Sequence, residues 1–312
     1  MCAGAGRLPT VTVNEVTDVE FSIVPSLLIG GLLRGGMYVL MAIGLSLVFG
    51  VMKVPNFAHG EFYMIGAYFS YYSTVIWKLP PLLGFVIAAI GGFLIGAVIG
   101  KVVFEPLHNR SKTDWILNSF LVTAGLSFIL QNSAQYLLGV DFKGVIGLFK
   151  GSVAFAGLNI SYDRLIGFAT ALVVVAIFWI FLKKTRTGNA ITAVSEHETG
   201  AMLVGINIKI IHILTFSLCC MLAAVAGAAL ISINPAYPTM GIQPLAKSWL
   251  VVILVGLGNL EATLVGGLMV GLIETFASFY FGTVWQDVIC LSIIVFILVV
   301  KPSGLFGKAQ KV

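Results

Sequence analysis

The chain has 312 residues, of which 59% are hydrophobic and only 10% charged, and its mean hydropathy is +1.03. Soluble domains carry about 25% charged residues, so a water-soluble globular protein is excluded. The formal charge of +5 falls in short loops, which marks orientation in a bilayer rather than a nucleic-acid or other acidic partner.

Residues 1–20 read as a polar, extracytoplasmic tail, with Glu15, Asp18 and Glu20 against Arg7. A cleaved signal peptide is not expected, because the tail is acidic and the apolar run that follows is too long. Charge-free runs cover 79–100, 115–140, 165–182 and 213–246, and a run over 21–52 is broken only by Arg34. Each approaches or exceeds the roughly 20 residues that cross a hydrocarbon core as a helix. None alternates as a barrel strand does, so backbone hydrogen bonding in lipid leaves helices as the solution. Helices are predicted near 22–51, 61–77, 82–104, 115–138, 164–182 and 211–233, with a glycine-broken stretch over 248–278 and a last helix near 284–300. The fold class is an all-α polytopic bundle of about seven to eight transmembrane helices over 21–302, followed by a cytoplasmic tail, 303–312.

Positive charge gathers at Lys101, Arg110 and Lys112, at Lys183, Lys184 and Arg186, and at Lys301, Lys308 and Lys311. Those loops are expected on the cytoplasmic side, with the N-terminus outside. Six crossings then leave Pro235 outside, so a cytoplasmic C-terminus requires one net crossing beyond residue 248. A re-entrant pair satisfies this: WLVVILV spans about half a bilayer, GLGNL with Gly256, Gly258 and Asn259 turns it, and the chain climbs back to Phe279, Tyr280 and Phe281. Irregular backbone at such depth must be buried in protein or line a wet cavity. Small residues repeat at four-residue spacing at Gly92, Gly96 and Gly100, at Gly267 and Gly271, and at Ala223 and Gly227. They predict close helix contacts, within this chain or between subunits.

The stretch VPNFAHGEFYMIGAY, 54–68, places His59 and Glu61 between apolar runs. Two accounts stand. In one, Asn56 helps end the loop, Glu61 sits in the first turn of the next helix where the dipole favours a negative charge, and His59 is interfacial. In the other, these groups take part in transport or gating, as titratable side chains at membrane depth commonly do. Arg34 either snorkels to the outer surface or faces a water-filled path. Glu261 follows the GLGNL break, and the deeper Glu274 reads equally as a polar interhelical bond or as path lining.

Residues 185–207, TRTGNAITAVSEHETGAMLVGIN, read as a short cytoplasmic helix. Ile191, Val194, Ala201, Leu203 and Val204 form its apolar face, against Ser195, Glu196, His197 and Glu198. It either rests on headgroups or docks on a soluble partner; anionic lipid disfavours its acidic polar face, which puts the partner at least on a par with the headgroups. Cys219, Cys220 and Cys290 lie in apolar runs without metal-ligand spacing and read as packing thiols. No GxxxxGK[ST], HExxH or GxSxG occurs, so neither nucleotide hydrolysis through a P-loop nor catalysis is expected of this chain. No cofactor or metal is expected to bind to it.

NFAHGEFYMIGAY at 56–68, preceded by GGMYVLMAIGLSLVFGV, resembles the membrane-spanning permease subunits of ABC importers for branched-chain amino acids, a group with relatives for urea and short amides. KTRTGNAI at 184–191, Glu196 with GIN at 205–207, AAVAG at 223–227, INP at 233–235, GLG at 256–258 and KPSGLFG at 301–307 extend the likeness over 24–307. The sequence departs from the pattern at Arg34, usually apolar or small, at Asn189, usually basic, and at Glu261, where proline often follows the turn.

The resemblance implies a prokaryotic plasma (inner) membrane location and alternating access. It also implies as partners a second related permease or a second copy of this chain, two cytoplasmic ABC ATPase subunits that use the ATP, and an extracytoplasmic substrate-binding protein. Within the loop 183–208 it puts Glu196 and Gly205 at family positions of the ATPase-coupling segment, and the adjoining His197 and Glu198 are taken with them as coupling candidates. A stand-alone secondary transporter or channel is the rival reading and needs its own ion-binding carboxylates, for which Glu274 alone is available.

Overall fold

A computed structural model describes residues 13–307, apart from 111–114, 146, 150, 156 and 157. The polar tail read at 1–20 lies outside the described residues as far as residue 12, as do Lys112, Lys308 and Lys311. The first elements are α1 (Val13–Met52), α2 (His59–Tyr71, continued by a π-helical turn, Tyr72–Ile76), α3 (Pro81–Ile99, continued by a second π-helical turn, Gly100–Phe104), α4 (Glu105–Arg110) and α5 (Trp115–Leu138). A hairpin of β1 (Ser152–Phe155) and β2 (Leu158–Ser161) leads into α6 (Tyr162–Lys184), α7 (Arg186–Glu196), α8 (Glu198–Leu203) and α9 (Ile208–Leu230). The chain finishes with α10 (Ile242–Val255), α11 (Leu260–Phe281) and α12 (Gln286–Val300).

Among the described residues, six segments are long and apolar enough to cross a membrane: Val24–Met52, Pro81–His108, α5, α6, α9 and α11. The shorter α2, α10 and α12 complete the predicted all-α bundle, to which the structure adds one small hairpin. Helix starts follow the polar residues that precede the apolar runs. Ser161, Thr185, Asn207 and Asn259 each accept a hydrogen bond from a first-turn amide of α6, α7, α9 and α11 respectively, satisfying donors that the helix itself leaves open.

The core is built by backbone approach rather than by large side chains. α9 runs through the centre, and a methyl added at Gly66 of α2 would lie 1.9 Å from the Ala224 carbonyl oxygen. Gly227 meets the Tyr63 carbonyl equally closely. Gly92, Gly96 and Gly100 present one ridge of α3 to Cys220, Ser217 and Ile213 of α9, while Gly267 and Gly271 of α11 meet Val39 and Gly35 of α1. All of these small-residue rows therefore serve contacts within the chain.

One end of the bundle collects Lys101, Lys183, Lys184, Arg186 and Lys301. Trp115 Nε1 donates to Met52 O at 3.0 Å and Lys183 pairs with Glu261 at 2.8 Å, which places the ends of α1 and α6 and the starts of α5 and α11 together at this basic end. The turn at Gly256, Gly258 and Asn259 is also here: Gly258 packs on Gly50, and Gly256 packs on Ser303 and Gly307.

This corrects the re-entrant reading in detail. GLGNL does not turn at mid-depth, α11 is a full-length helix, and the part-length member is α10, whose 14 residues rise about 21 Å. The irregular backbone that enters the bundle is instead 231–241, ending where Gly241 abuts Gly60. Leu305 N and Phe306 N donate to the carbonyls of Leu254 and Val255 at 2.8 and 3.1 Å, so the C-terminal tail supplies the donors that the end of α10 lacks.

Gly66→Ala is expected to lower the apparent melting temperature of the detergent-purified protein sharply, because the clash is with a backbone carbonyl and exceeds the roughly 1–3 kcal/mol of ordinary overpacking. Gly125→Ala, at a glycine with nothing within 4 Å of the added methyl, is expected to leave it unchanged. Thermal size-exclusion profiles of the two variants check this.

Candidate functional site

The segment between α1 and α2 is the first of three places where polar groups converge. α1 ends at Met52, the next residue, Lys53, takes a left-handed φ of +55°, and the chain then folds back against α5. Asn56 is fully buried and its Oδ1 accepts from Ala58 N at 3.1 Å. Thr123 of α5 donates to the Pro55 carbonyl at 3.2 Å, and Phe57 packs edge-on against Phe120.

His59 is sealed. Its Nε2 lies 2.9 Å from the Met41 carbonyl and its Nδ1 lies 3.1 Å from Cys219 Sγ. A carbonyl only accepts, so Nε2 carries the proton and the neutral ring takes the Cys219 thiol hydrogen at Nδ1. One imidazole thereby joins α1, α2 and α9, and Cys219 does more than pack. Met41 lies eleven residues before the end of α1, so α2 begins about 16 Å inside the bundle.

Glu61 sits in the first turn of α2, as expected, and is 1% exposed. Its Oε1 accepts from Ser127 Oγ at 2.9 Å and from Gln131 Nε2 at 2.7 Å, whereas Oε2 is buried without a partner. Ser127 and Gln131 are four apart and so share one face of α5. Neither stands out from sequence, although they are polar groups at helical spacing inside the least apolar span.

The second convergence is a charged cluster among α1, α10, α11 and α12. Lys247 Nζ contacts Glu274 Oε1 at 2.6 Å and Asp287 Oδ1 at 2.5 Å, and Tyr38 Oη donates to the other Glu274 oxygen at 2.5 Å. Glu274 is 1% exposed. It makes the polar interhelical bond that was one of its two readings. Arg34 is half-buried one turn before Tyr38 on α1. Lys247 was missed because it closes, rather than interrupts, the apolar run that precedes it.

The third is the connection from α6 to α9. The expected single helix is two, α7 and α8, bent at His197, whose backbone is extended and whose Nδ1 accepts from Gly200 N at 2.8 Å. Glu196 ends α7, Glu198 opens α8, and Gly205, at φ +87°, lets the chain turn into α9. Its apolar face is also divided. Ile191, Val194 and Ala201 are buried against the bundle, while Leu203 and Val204 are 85% and 78% exposed beside the exposed Met202. Glu196 and His197 are exposed on the same projection.

The three places are separate. The structure ties Asn56, His59 and Glu61 to α5 and α9, puts Glu274 and Arg34 near Lys247, and sets Glu196, His197, Glu198 and Gly205 at the basic end. Gly256, Gly258 and Asn259 turn the chain at that same end. Residues 27–298 match the family model described as the permease component of branched-chain amino acid transport systems. The chain belongs to this family.

It is the membrane-embedded permease subunit of an ABC importer, a transport subunit rather than an enzyme. It is 29% identical to the high-affinity branched-chain amino acid transport system permease protein BraD of Pseudomonas aeruginosa, over 91% of this chain and 95% of that one. It is 30% identical to the corresponding LivH of Escherichia coli K12, over 90% and 94%. The ribose import permease protein RbsC of E. coli K12 is 25% identical over 82% and 81%.

Within this permease, removing Lys247 leaves the buried Glu274 charge with only the neutral Tyr38 hydroxyl, whereas Lys247 also holds Asp287. Lys247→Met is expected to destabilise the bundle by about 3–5 kcal/mol, whereas Lys247→Met with Glu274→Met restores most of the loss. A double-mutant cycle on denaturation midpoints checks this; additive losses would disprove the coupling.

Proposed function

We propose that this permease carries branched-chain or closely related amino acids inward by alternating access, driven by ATP hydrolysed on two separate cytoplasmic ABC ATPase subunits. It pairs with a second related permease or with a second copy of itself, and an extracytoplasmic binding protein delivers the substrate. The chain binds no cofactor. It lies in a prokaryotic inner membrane with the N-terminus outside and the basic end cytoplasmic, in keeping with the positive-inside rule.

The observation that carries this reading is the α7–α8 projection. Its inner face is anchored through Ile191, Val194 and Ala201, and its tip offers Met202, Leu203 and Val204 bare beside Glu196 and His197. An apolar knob rimmed by polar groups marks a protein contact. Anchored on one side and bare on the other, it passes force from an ATPase to α6 and α9. The substrate class rests on the family match and on the likeness to BraD and LivH.

The path is assigned to the side of the bundle where α5 lies, because α5 is the least buried and least apolar of the six spans. Glu61 then acts as a positioning residue that holds α5 through Ser127 and Gln131. Asn56 and His59 fix the corner beneath it, and the Lys247–Glu274 cluster with Arg34 braces α10 and α11.

Reconstitution of the permease with its ATPases and binding protein tests the reading: leucine uptake into proteoliposomes is expected to require ATP and to be indifferent to proton or sodium gradients. Gradient-driven uptake without the ATPases would reject it. In the same assay Glu196→Lys is expected to cut uptake at least tenfold and weaken ATPase association while leaving the protein in the membrane. Thiol labelling of His197→Cys in intact cells is expected only after permeabilisation, and labelling from outside would invert the topology.

A further inference from the structure

α6 and α11 both lean on α1 near the basic end, and between them lies a crevice of about 300 Å³. Its floor is Ile43 of α1, which is buried, and its walls are Val175, Phe178, Leu182, Leu260 and Leu264. Trp179, Lys183 and Glu261 stand at the mouth, where the two charged side chains are 52% and 69% exposed. The Lys183 ammonium lies 4.3 Å from the Trp179 ring centroid and 2.8 Å from Glu261. Lys184 and Arg186, both exposed, follow within three residues.

An apolar crevice of this size does not stay empty beside acyl chains, because its walls would forfeit their dispersion contacts. Water is a poor filler, since it needs two to four polar partners and the walls supply none. The filler is therefore a hydrocarbon chain. At the mouth Lys183 faces Glu261, and the exposed Lys184 and Arg186 that follow in the chain add two more cations where α6 leaves its apolar run. Basic pockets between transmembrane helices at this interface suit anionic lipid headgroups, and tryptophan is the side chain favoured at headgroup depth.

We propose that this crevice is a binding site for one anionic phospholipid, with an acyl chain between α6 and α11 and the headgroup phosphate on Lys183, reinforced by Lys184 and Arg186. Glu261 competes with the phosphate for the same ammonium, so it sets the affinity. The site adjoins the start of α7, so an occupied crevice props α6 apart from α11 next to the projection. The proposal concerns lipid alone and stands or falls independently of the transported substrate.

Native mass spectrometry of the delipidated, detergent-purified permease, offered phosphatidylglycerol and phosphatidylcholine at equal concentration, tests it. One phosphatidylglycerol per chain is expected to be retained in preference. Leu264→Trp, which fills the crevice, is expected to abolish that retention, and Lys183→Gln to weaken it about fivefold, the effect of one basic residue at an anionic surface. Glu261→Gln is expected to strengthen phosphatidylglycerol binding and leave phosphatidylcholine unchanged, a gain that a misfolded variant cannot produce. Equal retention of the two lipids, or retention indifferent to Leu264→Trp, would overturn the site. So would efficient crosslinking of Trp179→Cys to the second permease chain in the assembled importer, because the mouth would then be covered by protein.

Discussion

Every backbone amide and carbonyl at membrane depth must find its partner within the protein, and this requirement governs where the chain is allowed to be irregular. Three departures from helix occur deep in the bundle or at its packed end, and each is met by protein groups. The corner from Met52 to Ala58 is met by Trp115, Thr123 and the Asn56 side chain. The 231–241 segment pairs through Ala236 with Lys143, both bonds at 2.9 Å. The 256–259 turn is met by Asn259 and by the chain's own tail. The polar residues that look functional in such a sequence are in large part the ones that make irregular backbone tolerable.

Glycine is what permits those departures to lie against one another. Gly60 and Gly241 touch because neither carries a side chain, so the start of α2 and the approach to α10 share one point in the middle of the bundle. The same economy runs through α9, which α2 and α3 both meet along small residues. A core of this type gains little from large side chains and depends on backbone proximity, dispersion and a few bonds such as those of His59. Transmembrane packing in general has this character, since lipid is as apolar as the interface it replaces.

Much of this architecture was legible in the sequence. The apolar runs gave the long helices, the four-residue glycine rows gave real helix contacts, and Glu61 was placed in the right turn. What could not be read were relationships between distant segments. His59 meeting Cys219 spans 160 positions and Tyr38 meeting Glu274 spans 236, and no local pattern encodes either. Lys247 escaped notice because a single cation at the edge of an apolar run is indistinguishable from an anchor until its two carboxylates are seen. The depth of the GLGNL turn was misjudged for a related reason: seven apolar residues look like half a crossing only if the preceding helix is assumed to begin at the surface. The bend at His197 was hidden because its capping role is carried by a ring nitrogen, a less familiar acceptor than Ser, Thr, Asn or Asp.

The bonds from Leu305 and Phe306 to the end of α10 have a bearing on biogenesis. These amides lie some fifty residues beyond the carbonyls they cap, so two carbonyls of α10 wait uncapped until that later stretch has been made and folded back. The end of α10 is thus completed only after α11 and α12 are in place, and a chain stopped short of Leu305 leaves that helix end open.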